Sequence, residues 1–425
     1  MSRRTAYGAL ALVCAGPRLG VLLHERERIL AGFTEKSDTI ARMFVDHGTF
    51  GFVPGAPSAY TQPLYAWFLI PLDWIFGPQW WSIGGVQIVV AVATAWLVYE
   101  IGRRVISPRA GLVAAGIATL NPYLVWHDVH VNREIVDQLV AAALVLLTLM
   151  VVERPTWLRA SGLGVVSGVS MLGNSRLVFL PTLCALYVAW RLPRARTTAV
   201  VAALVLGGAA VVVAPWLVRN KVSVGCWTIT TDGRAMWKAN NPGTYHLLSS
   251  GQWIDNVGPN APRPPRGSGG YYTPEEANGI WVRTNGAVTI HPDECLEQRF
   301  YQHLALEYWR HHPAGKAKLA ALSAKLLWQP NALETVGRNG AGGQLDIGRR
   351  LIEPAYMWAV YVLAAIGLFV APRAFVVLAL LLLAYQTAAA LAFVGATRYR
   401  VSWDFLLAIL AAAAIERFLA RTRLQ

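Results

Sequence analysis

The stretch PLYAWFLIPLDWIF, Pro63–Phe76, decides how the chain is laid out. It is apolar and aromatic, but it has only 14 residues and contains Pro71 and Asp73. An α-helix rises about 1.5 Å per residue, so this one reaches about 21 Å, short of the roughly 30 Å hydrocarbon core of a bilayer. Read as a span, it would also invert everything after it. Arg103, Arg104 and Arg109 would then face outward, against the rule that short cytoplasmic loops hold the excess of Arg and Lys. The stretch is therefore read as a juxtamembrane or re-entrant helix on the outer face.

With that helix set aside, ten apolar runs remain, at about 5–23, 81–101, 110–126, 134–152, 159–173, 177–190, 198–218, 355–371, 374–394 and 402–420. The first follows Ser2-Arg3-Arg4 and has no small-residue cleavage site behind it. It is read as an uncleaved helix that starts in the cytoplasm, although Gly16-Pro17-Arg18 interrupts its apolar pattern. The cytoplasmic connections then hold Arg103, Arg104 and Arg109, then Arg154 and Arg159, then Arg191, Arg194 and Arg196, then Arg373, with Arg421 and Arg423 in the tail. The expected fold is an all-α polytopic protein of the cell membrane. It has about ten transmembrane helices, an outer juxtamembrane helix and a small extracytoplasmic α/irregular region, with both termini cytoplasmic.

Three parts follow from this layout. Residues 1–218 form an N-terminal transmembrane module with a first outer loop at 24–80. Residues 219–353 form an extracytoplasmic region, and residues 354–425 the C-terminal transmembrane helices. Within the middle part, Gly258–Tyr272 is rich in Pro and Gly and reads as a loop. Pro313–Trp328 alternates Lys316, Lys318 and Lys325 with leucines and reads as an amphipathic helix on the membrane surface.

Composition agrees with a membrane protein. Of 425 residues, 55% are hydrophobic and 15% charged, with mean hydropathy +0.40. Soluble domains carry about 25% charged residues. The net charge of +14, from 38 basic and 24 acidic residues, would suggest nucleic acid in a soluble chain. Here most cations end apolar runs, and no basic helix or aromatic–basic module stands out, so nucleic acid is excluded as a partner. Disorder is excluded by the apolar content. Cys14 and Cys184 lie in apolar runs and read as packing, whereas Cys226 and Cys295 share the polar segment and are either a disulfide or two thiols.

Charged residues at membrane boundaries are the candidates for chemistry. In the first outer loop, Asp38 opens a helical pattern. It is either a helix cap or an outward carboxylate able to accept a proton from an attacking hydroxyl. The second outer connection, WHDVHVNREIVDQL, gathers His127, Asp128, His130, Arg133, Glu134 and Asp137. A divalent metal is compatible with that cluster but not expected, because the spacing matches no metal motif. Glu134 also complements the dipole of the helix it starts. Arg176, Arg398 and Arg400 depart from the positive-inside trend and face the outer leaflet. Arginine binds phosphate bidentately and stays charged when desolvated, so a phosphate-bearing lipid headgroup fits them. Arg219 enters the outer region just after the interfacial Trp216.

These pieces, in this order, resemble the GT-C glycosyltransferases, within them the dolichyl-phosphate-mannose protein mannosyltransferase and aminoarabinose transferase-like superfamily. The matching residues begin with Ser37-Asp38, Ala41-Arg42, His47-Gly48-Thr49-Phe50 and Thr61-Gln62-Pro63-Leu64-Tyr65. They continue through Gly102-Arg103-Arg104, Asn121-Pro122-Tyr123, Arg133-Glu134 and Leu172-Gly173-Asn174-Ser175-Arg176. Pro215-Trp216-Leu217-Val218-Arg219-Asn220, Asn240-Asn241-Pro242-Gly243, His312-Pro313, Lys325-Leu326-Leu327-Trp328 and Arg398-Tyr399-Arg400 complete the series.

The resemblance implies transfer of a sugar from a polyprenyl-phosphate donor to a glycan, lipid or protein acceptor on the outer face, with inversion. By position it makes Asp38 the base that deprotonates the acceptor. Glu134 becomes a supporting catalytic acid, and Arg176, Arg398 and Arg400 become ligands of the lipid phosphate. Asp128, His127 and Arg219 would be supporting residues. Relatives often carry a second acid beside the catalytic Asp, where this chain has Ser37 and Thr39. The competing readings are a transporter or flippase, and a non-catalytic assembly subunit with the same fold. The first is disfavoured because charges sit at boundaries rather than mid-span and no internal repeat is visible; the second is left open because fold does not fix function.

Overall fold

The computed structural model describes residues 2–30, 36–257, 261–264, 272–331 and 348–422. Most of the Pro/Gly-rich stretch at 258–272 and the tail arginine Arg423 lie outside them. The chain opens with α1 (Arg3–Glu25) and α2 (Lys36–His47), then a two-stranded hairpin, β1 (Gly51–Val53) and β2 (Ala56–Pro57). Next come α3 (Pro63–Phe76), α4 (Trp80–Val105), α5 (Pro108–Thr119), α6 (Pro122–His127), α7 (Glu134–Glu153), α8 (Trp157–Gly173), α9 (Leu180–Arg191) and α10 (Ala195–Ser223). Among the described residues, the polar region holds α11 (Gly233–Lys238), α12 (Thr244–Ser249), α13 (Pro274–Arg283), α14 (Glu294–His311) and α15 (Pro313–Trp328). The chain returns to the bundle with α16 (Glu353–Val370), α17 (Arg373–Ala392), α18 (Thr397–Val401) and α19 (Asp404–Thr422).

The helical, multi-pass expectation holds, but the expected runs do not all become spans. Among the described residues six helices are long and apolar enough to cross a membrane: α1, α4, α7, α10, the segment Arg350–Val370 and α17. The run expected at 110–126 breaks at Asn121-Pro122. The Asn121 side chain accepts from the Tyr123 N–H at 3.0 Å, and the proline cannot continue the helix before it. α8 and α9 have 17 and 12 residues. α19 is long, but Asp404, Glu416, Arg417 and Arg421 interrupt its apolar character. It occupies the centre of the bundle instead: Phe405 through Ala414 are all buried, as an all-round apolar helix must be. The expected short helix at 63–76 forms as a single 14-residue element with Trp74 and Ile75 exposed at its end.

Small residues allow a close helix contact. α8 lies along α10 through Gly164 and Gly168, which face Val205, Gly208 and Ala209. A Cβ at Gly168 would sit 2.8 Å from the Val212 Cβ and 2.9 Å from the Ala209 carbonyl oxygen. Close approach of this kind drives helix association where lipid removes the usual hydrophobic gain. Gly168→Leu is therefore expected to separate the pair and lower stability by about 1–3 kcal/mol. Denaturation in detergent micelles checks this, and an unchanged midpoint would contradict the packing.

Two of the arginines that the orientation reading grouped together, Arg103 and Arg104, lie at one end of the bundle with Arg3. Glu100 accepts from Arg3 Nε at 2.9 Å, Tyr7 OH at 2.7 Å and Arg103 Nη2 at 2.7 Å. Arg104 pairs with Glu153 at 2.9 Å beside them. The polar region packs on the opposite end. There Cys226 and Cys295 form a disulfide that ties the chain after α10 to α14, settling the alternative that the sequence left open. Cys14 and Cys184 are free and buried. α15 forms over the expected residues. It buries Leu319, Ser323 and Leu327 along one stripe and ties Lys316 Nζ to the Asn240 side chain at 2.6 Å and to the Leu391 and Ala392 carbonyls.

Candidate functional site

Where the polar region meets the bundle, element ends converge on a cavity of about 440 Å³. The charged wall residues come from the start of a helix or from a tight turn. Lys36 opens α2, Gln62 precedes α3, and Arg133 precedes α7. Arg176 sits on a 3-10 turn at Ser175–Leu177, where the Asn174 side chain accepts from its N–H at 3.1 Å. Asp232 precedes α11, Asp255 lies on the short turn Ile254–Asn256, and Arg398 and Tyr399 lie on α18.

The wall is strongly cationic on one side. Arg176 stacks on Tyr399, its guanidinium carbon 4.0 Å from the ring centroid, with Phe393 at 5.3 Å. It also donates to the Val394 carbonyl at 3.3 Å. Arg398 donates from Nε to Glu134 Oε1 at 2.6 Å. Arg133 donates to Gln62 Oε1 at 2.7 Å, and Gln62 Nε2 in turn donates to Ser175 Oγ at 3.2 Å. This chain of bonds links the turn that carries Arg176 to the starts of α3 and α7. Two carboxylates, Asp232 and Asp255, line the same cavity. Against its burial, Asp255 is held below its ordinary pKa by the Lys238 ammonium at 2.8 Å. Burial instead pushes Asp232 above its ordinary value, opposed by Lys36.

The structure sorts the expected site residues into two groups. Arg176 and Arg398 line the cavity. Glu134 stands behind Arg398: it is 2% exposed, and its Oε2 has no hydrogen-bond partner. Its effect on the cavity runs through Arg398, so Glu134→Gln is expected to weaken binding of a phosphate lipid about tenfold, or roughly 1.4 kcal/mol, by releasing that arginine. Titration of the variant with a polyprenyl phosphate checks it; unchanged affinity would mean that the ion pair does not position Arg398.

The remaining candidates are used elsewhere. Asp38 does not line the cavity. It is buried against the α2–α3 contact and pairs with Arg42 at 3.1 Å, and burial pushes its carboxyl up against that pairing. Asp73, on α3, is pushed up to about 6 by burial, with the Asp38 charge adding to it. Arg400 is 1% exposed; its Nε donates to Asp404 at 2.9 Å and its Nη1 to the Leu327 and Gln329 carbonyls. A cation there satisfies the open carbonyls at the end of α15 rather than a ligand. Asp128 is consumed by Arg18 of α1, at 2.7 Å, because a charge buried in the bundle needs a counter-charge. His127 stacks on Tyr123 at 3.8 Å. Arg219 clamps the hairpin through the Phe50 and Ser58 carbonyls at 3.0 and 2.7 Å.

The titratable cluster of the second connection is thereby dispersed. Among the described residues no group of three or more His, Cys, Asp or Glu is placed to hold a metal ion. The sequence reading passed over Lys36, Gln62, Asp232 and Asp255 as site residues. Lys36 lay beside the expected Asp38, and Asp232-Gly233 reads locally as a turn.

Residues 57–218 match the model of the family described as dolichyl-phosphate-mannose-protein mannosyltransferase. No curated protein sequence matches the chain. Among solved structures, the chain is similar to the archaeal oligosaccharyltransferase AglB from Archaeoglobus fulgidus, in a complex with an inhibitory peptide and a dolichol-phosphate. That likeness has 12% identity and a TM-score of 0.54, over 98% of this chain and 51% of the other. The chain thus spans about half the length of that protein. A second match is ArnT from Cupriavidus metallidurans bound to undecaprenyl phosphate, with 16% identity and a TM-score of 0.37, over 96% of this chain and 78% of the other. The matched segment contains Arg133, Glu134 and Arg176 of the site, and the chain shares its fold with the oligosaccharyltransferase.

Proposed function

We propose that the protein is a membrane glycosyltransferase that moves a sugar from a polyprenyl-phosphate donor to an acceptor hydroxyl, with inversion at the anomeric carbon. The observation that carries this reading is the pairing, on one cavity wall, of Arg176 and Arg398. Both are held in place before any ligand arrives, one by Tyr399 and Phe393, the other by Glu134. Breaking the bond from the anomeric carbon to phosphate leaves charge on the phosphate oxygens. Preorganised guanidinium groups lower the cost of that charge more in the transition state than in the ground state. The structural likeness to AglB supports the donor class, since AglB was solved with a dolichol-phosphate. The acceptor is a glycan, lipid or protein hydroxyl reaching the same cavity.

The reading places the cavity on the extracytoplasmic face and both termini in the cytoplasm. The arginine cluster at the opposite end supports this, as does the disulfide on the cavity side, since disulfides persist in oxidising compartments. The reading calls for no metal or other cofactor. Incubation of the purified protein with a panel of labelled polyprenyl-phosphate pentoses and hexoses, with membrane extract as acceptor source, tests the activity. Release of polyprenyl phosphate with at least one sugar is expected. Binding without release would favour the non-catalytic assembly subunit.

A further inference from the structure

We propose that Lys316 is a positioning residue for the phosphate site: its ammonium clasps the end of α17 and so holds the Phe393–Val394 turn that orients Arg176. The assignment rests on the lipid-phosphate reading above. An ammonium has three N–H donors and no acceptor. Lys316 Nζ meets three acceptors, Asn240 Oδ1 at 2.6 Å and the Leu391 and Ala392 carbonyls at 2.8 and 2.9 Å. The two carbonyls belong to the last turn of α17, which the helix itself leaves open. A helix C-terminus carries partial negative charge and favours a cation there. The ammonium also stands 4.6 Å from the centre of the Trp309 ring, a cation–π contact supplied by α14.

Asn240 makes this clasp a junction of two cavity walls. Its side chain is fully buried and uses both ends of its amide. Oδ1 accepts from Lys316 Nζ and from Trp309 Nε1 at 2.8 Å, and Nδ2 donates to the Met236 carbonyl at 2.8 Å and the Ala392 carbonyl at 3.3 Å. Met236 lines the cavity from α11, and Phe393, the residue after Ala392, lines it at the end of α17. From Ala392 the path to the arginine is short. The Phe393 ring centre lies 5.3 Å from the Arg176 guanidinium carbon, and the Val394 carbonyl accepts from Arg176 Nη1 at 3.3 Å. The turn is pinned beyond Val394 as well, because a Cβ at Gly395 would collide with the Ser323 carbonyl oxygen of α15. α15 therefore holds the turn on both flanks of its Arg176 contacts, by Lys316 before them and by Ser323 after them.

The clasp needs all three protons. A neutral amine keeps two N–H groups and turns a lone pair on the third acceptor, which loosens the end of α17. Burial lowers the Lys316 ammonium to about 8. The titratable and charged groups on the elements packed around it are Tyr308, Arg310, His312 and the His303–Glu307 pair by α14, His246 on α12, Lys238 with its partner Asp255 beside α11, and Arg398 and Arg400 on α18. The two acids among these are paired, at 2.8 Å for Asp255 and 3.3 Å for Glu307. Phosphate binding is therefore expected to weaken as pH rises through about 8. The lipid phosphate completes its own ionisation at lower pH. Unfolding does not account for such a fall. A lysine whose pKa is lowered by folding leaves the unfolded chain with more bound protons above that pKa, so this group adds stability as pH rises there.

The test measures binding of polyprenyl phosphate, and its release from the sugar that wild type turns over. Lys316→Met is expected to weaken binding by about three- to tenfold. It should slow release by about 10–10²-fold, since a small displacement of a positioned group is costly to the chemistry. In an Arg176→Ala background the same change should alter binding by less than about twofold, because a residue that acts through Arg176 has nothing left to position. A merely structural role would weaken both backgrounds alike, and that result would overturn the assignment. Wild type supplies an arm that needs no variant: its binding should weaken by about three- to tenfold from about pH 7 to 9. Lys316→Arg should flatten that limb, because a guanidinium stays charged throughout the range. Wild-type binding that is level across the range, or a limb that persists in Lys316→Arg, would also overturn the assignment. Binding without release would strike the glycosyl-transfer reading alone, and the binding arms would still decide the clasp. Wild type that binds no polyprenyl phosphate would strike the lipid-phosphate reading, and this assignment with it.

Discussion

Arg176→Ala is expected to slow sugar transfer by roughly 10²–10³-fold, the loss seen when one preorganised donor to a developing negative charge is removed. The arginine is placed for that task by three independent contacts. Asn174 fixes the turn that carries it, Tyr399 supports its guanidinium face at 4.0 Å, and the Val394 carbonyl orients one nitrogen at 3.3 Å. None of these partners is a carboxylate, so its charge is not neutralised at short range before a ligand arrives. Arg176→Lys should recover only part of the rate, because an ammonium is a point charge without the planar fork that grips phosphate at two oxygens. Arg398→Ala should lose transfer as well. It would in addition leave Glu134 buried without its partner, so its effect includes lost stability. Initial rates of polyprenyl-phosphate release check this set, and an Arg176→Ala rate within threefold of wild type would remove Arg176 from the chemistry.

Asp128→Ala is expected to cost about 3–5 kcal/mol of stability, the usual price when one member of a buried ion pair is left alone. Arg18 and Asp128 are each 1% exposed, and Arg18 Nε and Nη2 donate to one carboxylate oxygen at 2.9 and 2.7 Å. Nη1 donates to the Cys14 and Thr119 carbonyls at 3.1 and 2.9 Å, so the guanidinium joins α1, the end of α5 and the connection before α7. Removing the carboxylate strands that charge among apolar side chains. The double change Arg18→Met with Asp128→Leu should lie near wild type, because it removes both desolvation costs together. Denaturant titration in micelles measures the cycle. A loss below about 1 kcal/mol for Asp128→Ala would show that water reaches Arg18.

Much of the architecture was legible from short-range physics. The 14-residue run Pro63–Phe76 forms the short helix expected of it, and Arg103 and Arg104, assigned to one face, meet at one end. Arg18 read as a flaw in α1 because its partner lies 110 residues away, and only packing brings the two together.

The cavity was legible in part, and two of the expected residues that do not line it share one cause. Asp38 and Arg400 each stand two residues from a residue that does line the cavity, Lys36 and Arg398. Helical neighbours at i and i+2 point to different faces. Arg398 on α18 turns to the cavity while Arg400 turns to the end of α15, and Lys36 on α2 turns to the cavity while Asp38 turns to α3. A motif quoted as a string hides that rotation. Asp232 was illegible for another reason. Its position depends on Glu294, some sixty residues on, clasping both Thr231 and Ala59, and on the disulfide that holds α14 to the end of α10.

The central claim is that the cavity holds a lipid phosphate between Arg176 and Arg398. An experimental structure of the protein with a polyprenyl phosphate measures this most directly. The account predicts phosphate density within hydrogen-bond distance of both guanidinium groups, with the lipid chain leaving toward the membrane. Phosphate density bound elsewhere, with Arg176 still stacked on Tyr399 and making no contact to it, would contradict the account.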